Sequence, residues 1–213
     1  MAIVIKDDII QIEQMVLGPW DTNAYIVKCL ATMKSVLVDA PAETANIIKS
    51  LQDTHPEYLL LTHNHDDHIG ALAELRNNLQ IPLGAHAADS DRLSAPADIS
   101  LKNGDLLEFG QAKLEVLHTP GHTLGSLCFK HGKFLFSGDT LFPRGPGRTK
   151  TPADFNQIVK SITDKIMVLP DETEIYPGHG EPTTLKRERD EFIPFSSQPY
   201  DLGLCGDVLW LSP

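Results

Sequence analysis

The chain has 213 residues, 41% hydrophobic and 22% charged, enough for one large domain or two small ones around a substantial core. Its 18 Lys and Arg face 29 Asp and Glu, and a formal net charge of −11 argues against a general nucleic-acid surface, which needs basic patches to neutralise phosphates. The start, MAIVIKDDII, lacks a basic leader followed by an apolar block, and no apolar run of about 18 residues predicts a membrane span. The three cysteines, Cys29, Cys128 and Cys205, are far apart and odd in number, which fits idle thiols in a reducing cytoplasm better than a disulfide framework.

In chain order, residues 9–17 alternate partially, 23–30 are strand-like, and 34–40 form a short apolar run ending at Asp39. A helical pattern follows Pro41, with Ile47, Ile48 and Leu51 on one side. Residues 57–63 read as a buried strand that runs into THNHDDHIG (62–70), and 69–79 read as a helix. The histidine cluster is therefore expected on a strand-to-helix loop, where functional groups are commonly displayed. Farther on, 111–119 read as a strand ending in the loop PGH, and 126–139 as a hairpin with its tip at His131-Gly132. Residues 151–167 have a helical apolar pattern, with Thr151 as N-cap and Pro152 in the first turn. Residues 173–180 form a short strand followed by a second histidine loop, and 182–192 form a final helix. The division expected is one domain over 1–193 and an irregular tail over 194–213. The tail's Tyr200, Leu202, Leu204 and Trp210 suggest packing on the body or on a partner subunit. Strands with interspersed helices fit two packed sheets with helices outside, a mixed α/β architecture.

The cluster at 63–68 places three of the chain's nine histidines and two aspartates within six residues. His63, His65, Asp67 and His68 follow one strand, His122 another, Asp139 a third and His179 a fourth. Such ends share an edge in a layered fold, so their loops can meet. Seven donors could fill two adjacent metal positions: three imidazoles in one, a carboxylate and two imidazoles in the other, and a shared carboxylate between. The loops PGH, SGD and PGHG contain glycines that permit close approach to an ion. His55, His86 and His131 read as surface or hairpin histidines, and His118, inside an alternating strand, as a satisfied core histidine.

HNHDDH, with Gly121-His122, Gly138-Asp139 and Gly178-His179, resembles the metallo-β-lactamase superfamily from Asp39 to about residue 192. That resemblance implies an αββα sandwich. His63, His65 and His122 would hold one metal, Asp67, His68 and His179 the other, and Asp139 would bridge them. Asp39 would orient a ligand from behind. The bridging Asp139 argues against antibiotic hydrolysis, and His65, where flavodiiron proteins carry Glu, argues against O₂ or NO reduction. FSGDTLFPRGPGRT (136–149) and YPGHGEPTT (176–184) look like the glyoxalase II group, closest to compact members without its long C-terminal helical domain. Pro146 stands where that group usually has Cys.

The activity so implied is hydrolysis of an anionic thioester by a hydroxide bridging two divalent ions, zinc first, iron or manganese otherwise. Asp67 would also accept a proton. Arg144 or Arg148, directly after the bridging ligand, is a candidate to attract a substrate carboxylate, whereas Arg144 and Lys150 read equally well as solvated loop. A mononuclear-iron persulfide dioxygenase using His63, His122 and Asp139 is the alternative, and a lactonase or other ester hydrolase of the same fold comes third. The partner expected is a small anionic molecule, with no nucleic acid and no membrane, for a monomer or homodimer.

Overall fold

The computed structural model describes residues 3–93, 95–201 and 203–211. Met1 and Ala2, and Leu202, Ser212 and Pro213 of the expected tail, lie outside the described residues. Two large sheets face each other. The first holds β1 (Ile3–Lys6), β2 (Ile10–Leu17), β3 (Thr22–Cys29), β4 (Lys34–Val38), β5 (His55–Leu60), β6 (Leu83–His86) and β7 (Ile99–Leu101) in that order. Its first four strands are antiparallel, and β4 to β7 are parallel. The second sheet holds β8 (Leu106–Phe109), β9 (Ala112–His118), β10 (Leu127–His131), β11 (Phe134–Gly138), β14 (Glu174–Pro177) and β15 (Thr183–Thr184), with β11 and β14 parallel. Between β11 and β14 lies a small hairpin of β12 (Leu141–Phe142) and β13 (Gly145–Pro146).

Strand alternation builds the layers, because successive side chains point to opposite faces. In β4, Val36 and Val38 pack between the sheets while Leu37 faces outward. In β11, Phe134 and Phe136 enter the central layer and Leu135 the outer one. Helices α1 (Thr44–Leu51) and α3 (Leu72–Leu79) cover the outer face of the first sheet through Ile47, Leu51, Leu72 and Leu75. Helices α4 (Pro152–Ser161) and α5 (Leu185–Ser196) cover the second through Phe155, Ile158, Leu185 and Phe192. The result is the αββα sandwich.

Several elements differ in detail from their sequence patterns. The stretch expected as one helix over 69–79 is split: α2 is a single turn over Asp66–Ile69, and α3 begins after Ala71. The helix from Thr151 starts with a reciprocal cap between Thr151 and Asp154, but after Ser161 it widens into a π turn over Ile162–Ile166. Helix α5 starts later than expected and runs through Pro194. Beyond it, Trp210 is buried against Phe192 and Phe195, with ring centroids 5.0 and 5.1 Å away. Backbone hydrogen bonds from Gly206 to Thr149 (2.8 Å) and from Trp210 to Arg144 (2.9 Å) lay the segment along the 144–149 loop.

Candidate metal centre

Strand direction determines where the polar loops collect. Parallel pairing makes β4 and β5 end on the same side, and β9, β11 and β14 share one direction within the second sheet. Asp39 follows β4, His63 and His65 follow β5, His122 follows β9, Asp139 follows β11 and His179 follows β14. The turn α2 presents Asp67 and His68, so part of the cluster is helical rather than loop.

The structure brings all seven predicted donors together. Three sets of groups lie close enough to hold an ion: His63, His65 and His122; His63, His68 and Asp139; and Asp67, His68 and His179. Asp139 stands between the outer sets, its carboxylate 3.3 Å from His68 Nε2, 3.4 Å from His122 Nε2 and 3.8 Å from His179 Nε2. His65 turns Nδ1 inward, 2.8 Å from His122 Nε2, and His179 Nε2 is 3.1 Å from Asp67 Oδ2.

The outward nitrogens determine which lone pairs remain inside. His122 Nδ1 donates to the Arg148 carbonyl (2.8 Å) and His179 Nδ1 to the Trp20 carbonyl (3.0 Å). His68 Nδ1 donates to Asp39 Oδ2 (2.8 Å). Thr62 Oγ1 donates to Asp39 Oδ2 (2.7 Å), so its oxygen accepts from His63 Nδ1 (3.1 Å). In a neutral imidazole one nitrogen donates and the other accepts. With the outer nitrogen so engaged, each of these four rings in its neutral form would turn a bare Nε2 to the centre, the outer-partner arrangement that prepares histidines as metal ligands. His63 Nε2, His68 Nε2 and Asp139 Oδ1 are buried and lack any hydrogen-bond partner. Orphaned buried polar atoms are costly, and cations at the two positions would satisfy all three. The residues fit a metal.

The charges agree. Burial opposes a charged His68, yet Asp39 and Asp139 outweigh it and lift the imidazolium to about 10. The same two carboxylates place negative charge beside His68, so a cation at the centre would take the place of the proton on its Nε2. Burial and the neighbouring rings push His63 well down, and burial with His122 lowers His65 to about 4. Burial would raise Asp67, but the hydrogen bond from His179 and the charge of His68 bring it to about 2.

Close packing requires Gly178, where a Cβ would overlap Asp139 Oδ1 and crowd His68. Glycine here admits the ligand side chains themselves. Asp39 has a left-handed backbone (φ 63°) and accepts from Thr62 N, Thr62 Oγ1 and His68 Nδ1. Backbone strain at a functional position is common when surrounding contacts over-determine it.

A cavity of about 840 Å³ opens over the cluster, lined among others by Trp20, Asp67, Asp139, Arg148, Lys150 and Cys205. Arg148 borders it as expected. Arg144 does not: its guanidinium faces Glu191 (3.7 Å) and its amide donates to Glu188, both on α5, because the β12–β13 hairpin turns it away from the cluster. Lys150, read as equally consistent with solvated loop, lines the cavity instead. Of the remaining histidines, His118 is not in the core as expected: at the end of β9 it is half-buried at the surface, bonded to the Leu124 carbonyl (2.9 Å) and stacked on His86 at 4.0 Å. His131 donates to the Lys113 carbonyl (2.8 Å), and His55 is exposed. The reading of the sequence missed Thr62, whose position directly before the cluster was the available signal, and Trp20, for which no signal existed. No helix among the described residues is long and apolar enough to cross a membrane.

Comparison with known proteins agrees with this geometry. A family profile described as the metallo-beta-lactamase superfamily matches residues 17–179. The probable metallo-hydrolase YqgX of Bacillus subtilis is 32% identical, over 84% of this chain and 94% of its own length. A hydroxyacylglutathione hydrolase of Rhodopseudomonas palustris is 36% identical, over 75% of this chain and 62% of its own. Among solved structures, BLEG-1 B3 metallo-beta-lactamase superposes with a TM-score of 0.75 at 34% identity, covering 84% of this chain and 96% of that one. ETHE1 from Myxococcus xanthus gives 0.75 at 31%, covering 84% and 81%. A di-iron-bound form of TTHA1623 gives 0.72 at 34%, covering 82% and 96%.

Proposed function

The chain belongs to the metallo-beta-lactamase superfamily, and from that premise we propose that it is a two-metal hydrolase of small anionic thioesters. The observation that carries the two-metal reading is the position of Asp139 between the two imidazole sets. His63, His65 and His122 would hold one ion, Asp67, His68 and His179 the other, and Asp139 both. Imidazole and carboxylate donors without thiolate suit zinc, with iron or manganese as substitutes. Divalent ions so held supply Lewis acidity and lower the pKa of water toward neutrality.

The chain's own groups do the rest. Asp39 holds His68 by its outer nitrogen, and the Thr62 hydroxyl relays the same carboxylate to His63. Asp67 lines the cavity with its carboxylate held ionised by His179 and His68, and in this reading it would accept a proton during turnover. Arg148 and Lys150 supply positive charge beside the ligands of a protein whose net charge is −11, and the cavity volume lies within the range of small-molecule sites, roughly 300–1,000 Å³. Both favour a small substrate carrying a carboxylate. A thiolate leaves without strong acid assistance, which suits such a site. The hydroxyacylglutathione hydrolase relative supports this substrate class.

The decisive experiment is an assay of metal-loaded protein against anionic and neutral thioesters with matched acyl groups. Hydrolysis that favours the anionic series supports the reading; no thioester hydrolysis rejects it. Arg148→Ala is expected to raise KM for the anionic esters by about 10-fold, roughly one charge-assisted contact of 1.4 kcal/mol or more, and to leave KM for the neutral esters unchanged. Equal effects on both series would remove Arg148 from the pocket. The similarity to ETHE1 and the presence of His63, His122 and Asp139 favour a second reading, the single-iron persulfide dioxygenase. Oxygen consumption with a persulfide substrate separates it. The assembled second set, Asp67, His68 and His179, is why hydrolysis ranks first.

A further inference from the structure

Between β6 and β7 the chain makes a 3-10 turn, Ala87–Arg92, that carries a buried carboxylate outside the metal cluster. Asp89 is 3% exposed. A buried carboxylate is costly unless its oxygens are satisfied. Both are, and both by one loop: Oδ1 accepts from the Gly125 amide (2.8 Å) and Oδ2 from the Thr123 hydroxyl (2.7 Å). That loop carries His122. Contact is close enough that a Cβ on Gly125 would overlap the Asp89 carboxyl group. The main chain of the same turn holds the other ligand loop, because Asn64 Nδ2, between His63 and His65, donates to the Asp89 carbonyl (3.1 Å) and to Asp91 Oδ1 (3.0 Å).

We propose that Asp89 is a positioning residue that holds the His122 loop in register with the His63–His65 loop, and so sets the affinity of the first metal position over the second. The inference rests on the two-metal reading above. His63 and His65 follow a strand of the first sheet and His122 a strand of the second, so the three rings converge only if the two sheets' loops are tied across the gap. From the far side, Ser161 on α4 donates to the Pro120 carbonyl (2.7 Å), and Gly121 lies against Ile158. On the near side Asp89 ties the His122 loop itself, beside a backbone bond from Leu127 N to the Thr62 carbonyl (2.7 Å) that joins the strands behind the loops. The second position has separate ties: Asn23 Nδ2 donates to the carbonyls of Pro177 (2.9 Å) and Gly180 (3.0 Å), and Asp39 holds His68. Loss of Asp89 therefore acts on one ion and spares the other.

The test is titration of metal-free protein with Zn²⁺, comparing wild type with Asp89→Ala, Asp89→Asn and Thr123→Val. Imidazole ¹⁵N NMR identifies the ligands of each ion. Wild type is expected to bind two ions. Asp89→Ala should weaken one by about 10- to 100-fold, the usual cost of losing an outer partner, with His63, His65 and His122 the rings whose shifts cease to respond. Asp89→Asn should fall between, since its amide oxygen can still accept from Gly125. Thr123→Val, which removes one contact and keeps the carboxylate, should weaken the same ion by less. Two ions at wild-type affinity in Asp89→Ala, or equal weakening of both, would overturn the proposal, because a merely structural loosening spares neither position. If Asp89→Ala does not fold, the result rests on Thr123→Val and Asp89→Asn, and wild-type affinities in both would overturn it equally. A wild type that binds no ion would instead remove the two-metal reading, and this inference with it.

Discussion

Asp139→Ala is expected to retain at most one ion per chain and to lose turnover by more than about 100-fold. Removing an outer partner of a metal ligand typically costs 10- to 100-fold in affinity or activity, and Asp139 is a direct donor shared by both positions. Its carboxylate lies within 4 Å of ring nitrogens from both outer sets: His122 on one side, His68 and His179 on the other. The neighbouring glycines cannot supply a substitute, and Gly178 leaves no side chain that could swing into the gap. Elemental analysis of the folded variant, checked by circular dichroism, reads the first effect, and the thioester assay reads the second. Full metal content would remove Asp139 from its bridging position. Asp139→Asn keeps the shape and one acceptor but loses the charge, so intermediate metal content would show that charge contributes as well as geometry.

Removal of the ions by a chelator is expected to abolish activity and to lower the melting temperature. A group that binds only the folded chain stabilises it by about 2.7 kcal/mol at a concentration 100 times its Kd. For a domain of this size that corresponds to roughly 5–10 °C per ion. The physical source is visible in the site: without a cation, His63 Nε2, His68 Nε2 and Asp139 Oδ1 are buried without partners. The folded chain should survive chelation, because three apolar layers built of buried side chains hold the sheets and helices together without a metal. Readdition of Zn²⁺ should restore both properties. A melting temperature that ignores chelator and metal alike would contradict a metal at this position.

Much of this arrangement could be read from the chain because strong local signals coincide with the site. Residues 34–40 and 57–63 are apolar runs long enough to mark central strands, and each ends at the residues that matter. The Thr151–Pro152 start of α4 is a pairing of cap and first-turn residue that depends on nothing distant. By contrast, residues 80–110 carried no assignment. Strands β6, β7 and β8 are four, three and four residues long, too short for periodicity to register. Asp89 lies in that stretch and acts on atoms 34 and 36 residues away, a relation that only the folded chain creates. The basic loop shows the same limit. Arg144, Arg148 and Lys150 look equivalent in sequence, but a left-handed backbone at Arg144 (φ 73°) and the β12–β13 hairpin send it toward α5 while the other two border the cavity.

Anomalous diffraction from crystals of the zinc-loaded protein, recorded at the zinc absorption edge, tests the central claim most directly. Two peaks are expected, one among His63, His65 and His122, the other among Asp67, His68 and His179, with Asp139 between them. No peak at this edge of the sandwich, or peaks only on other residues, would contradict it.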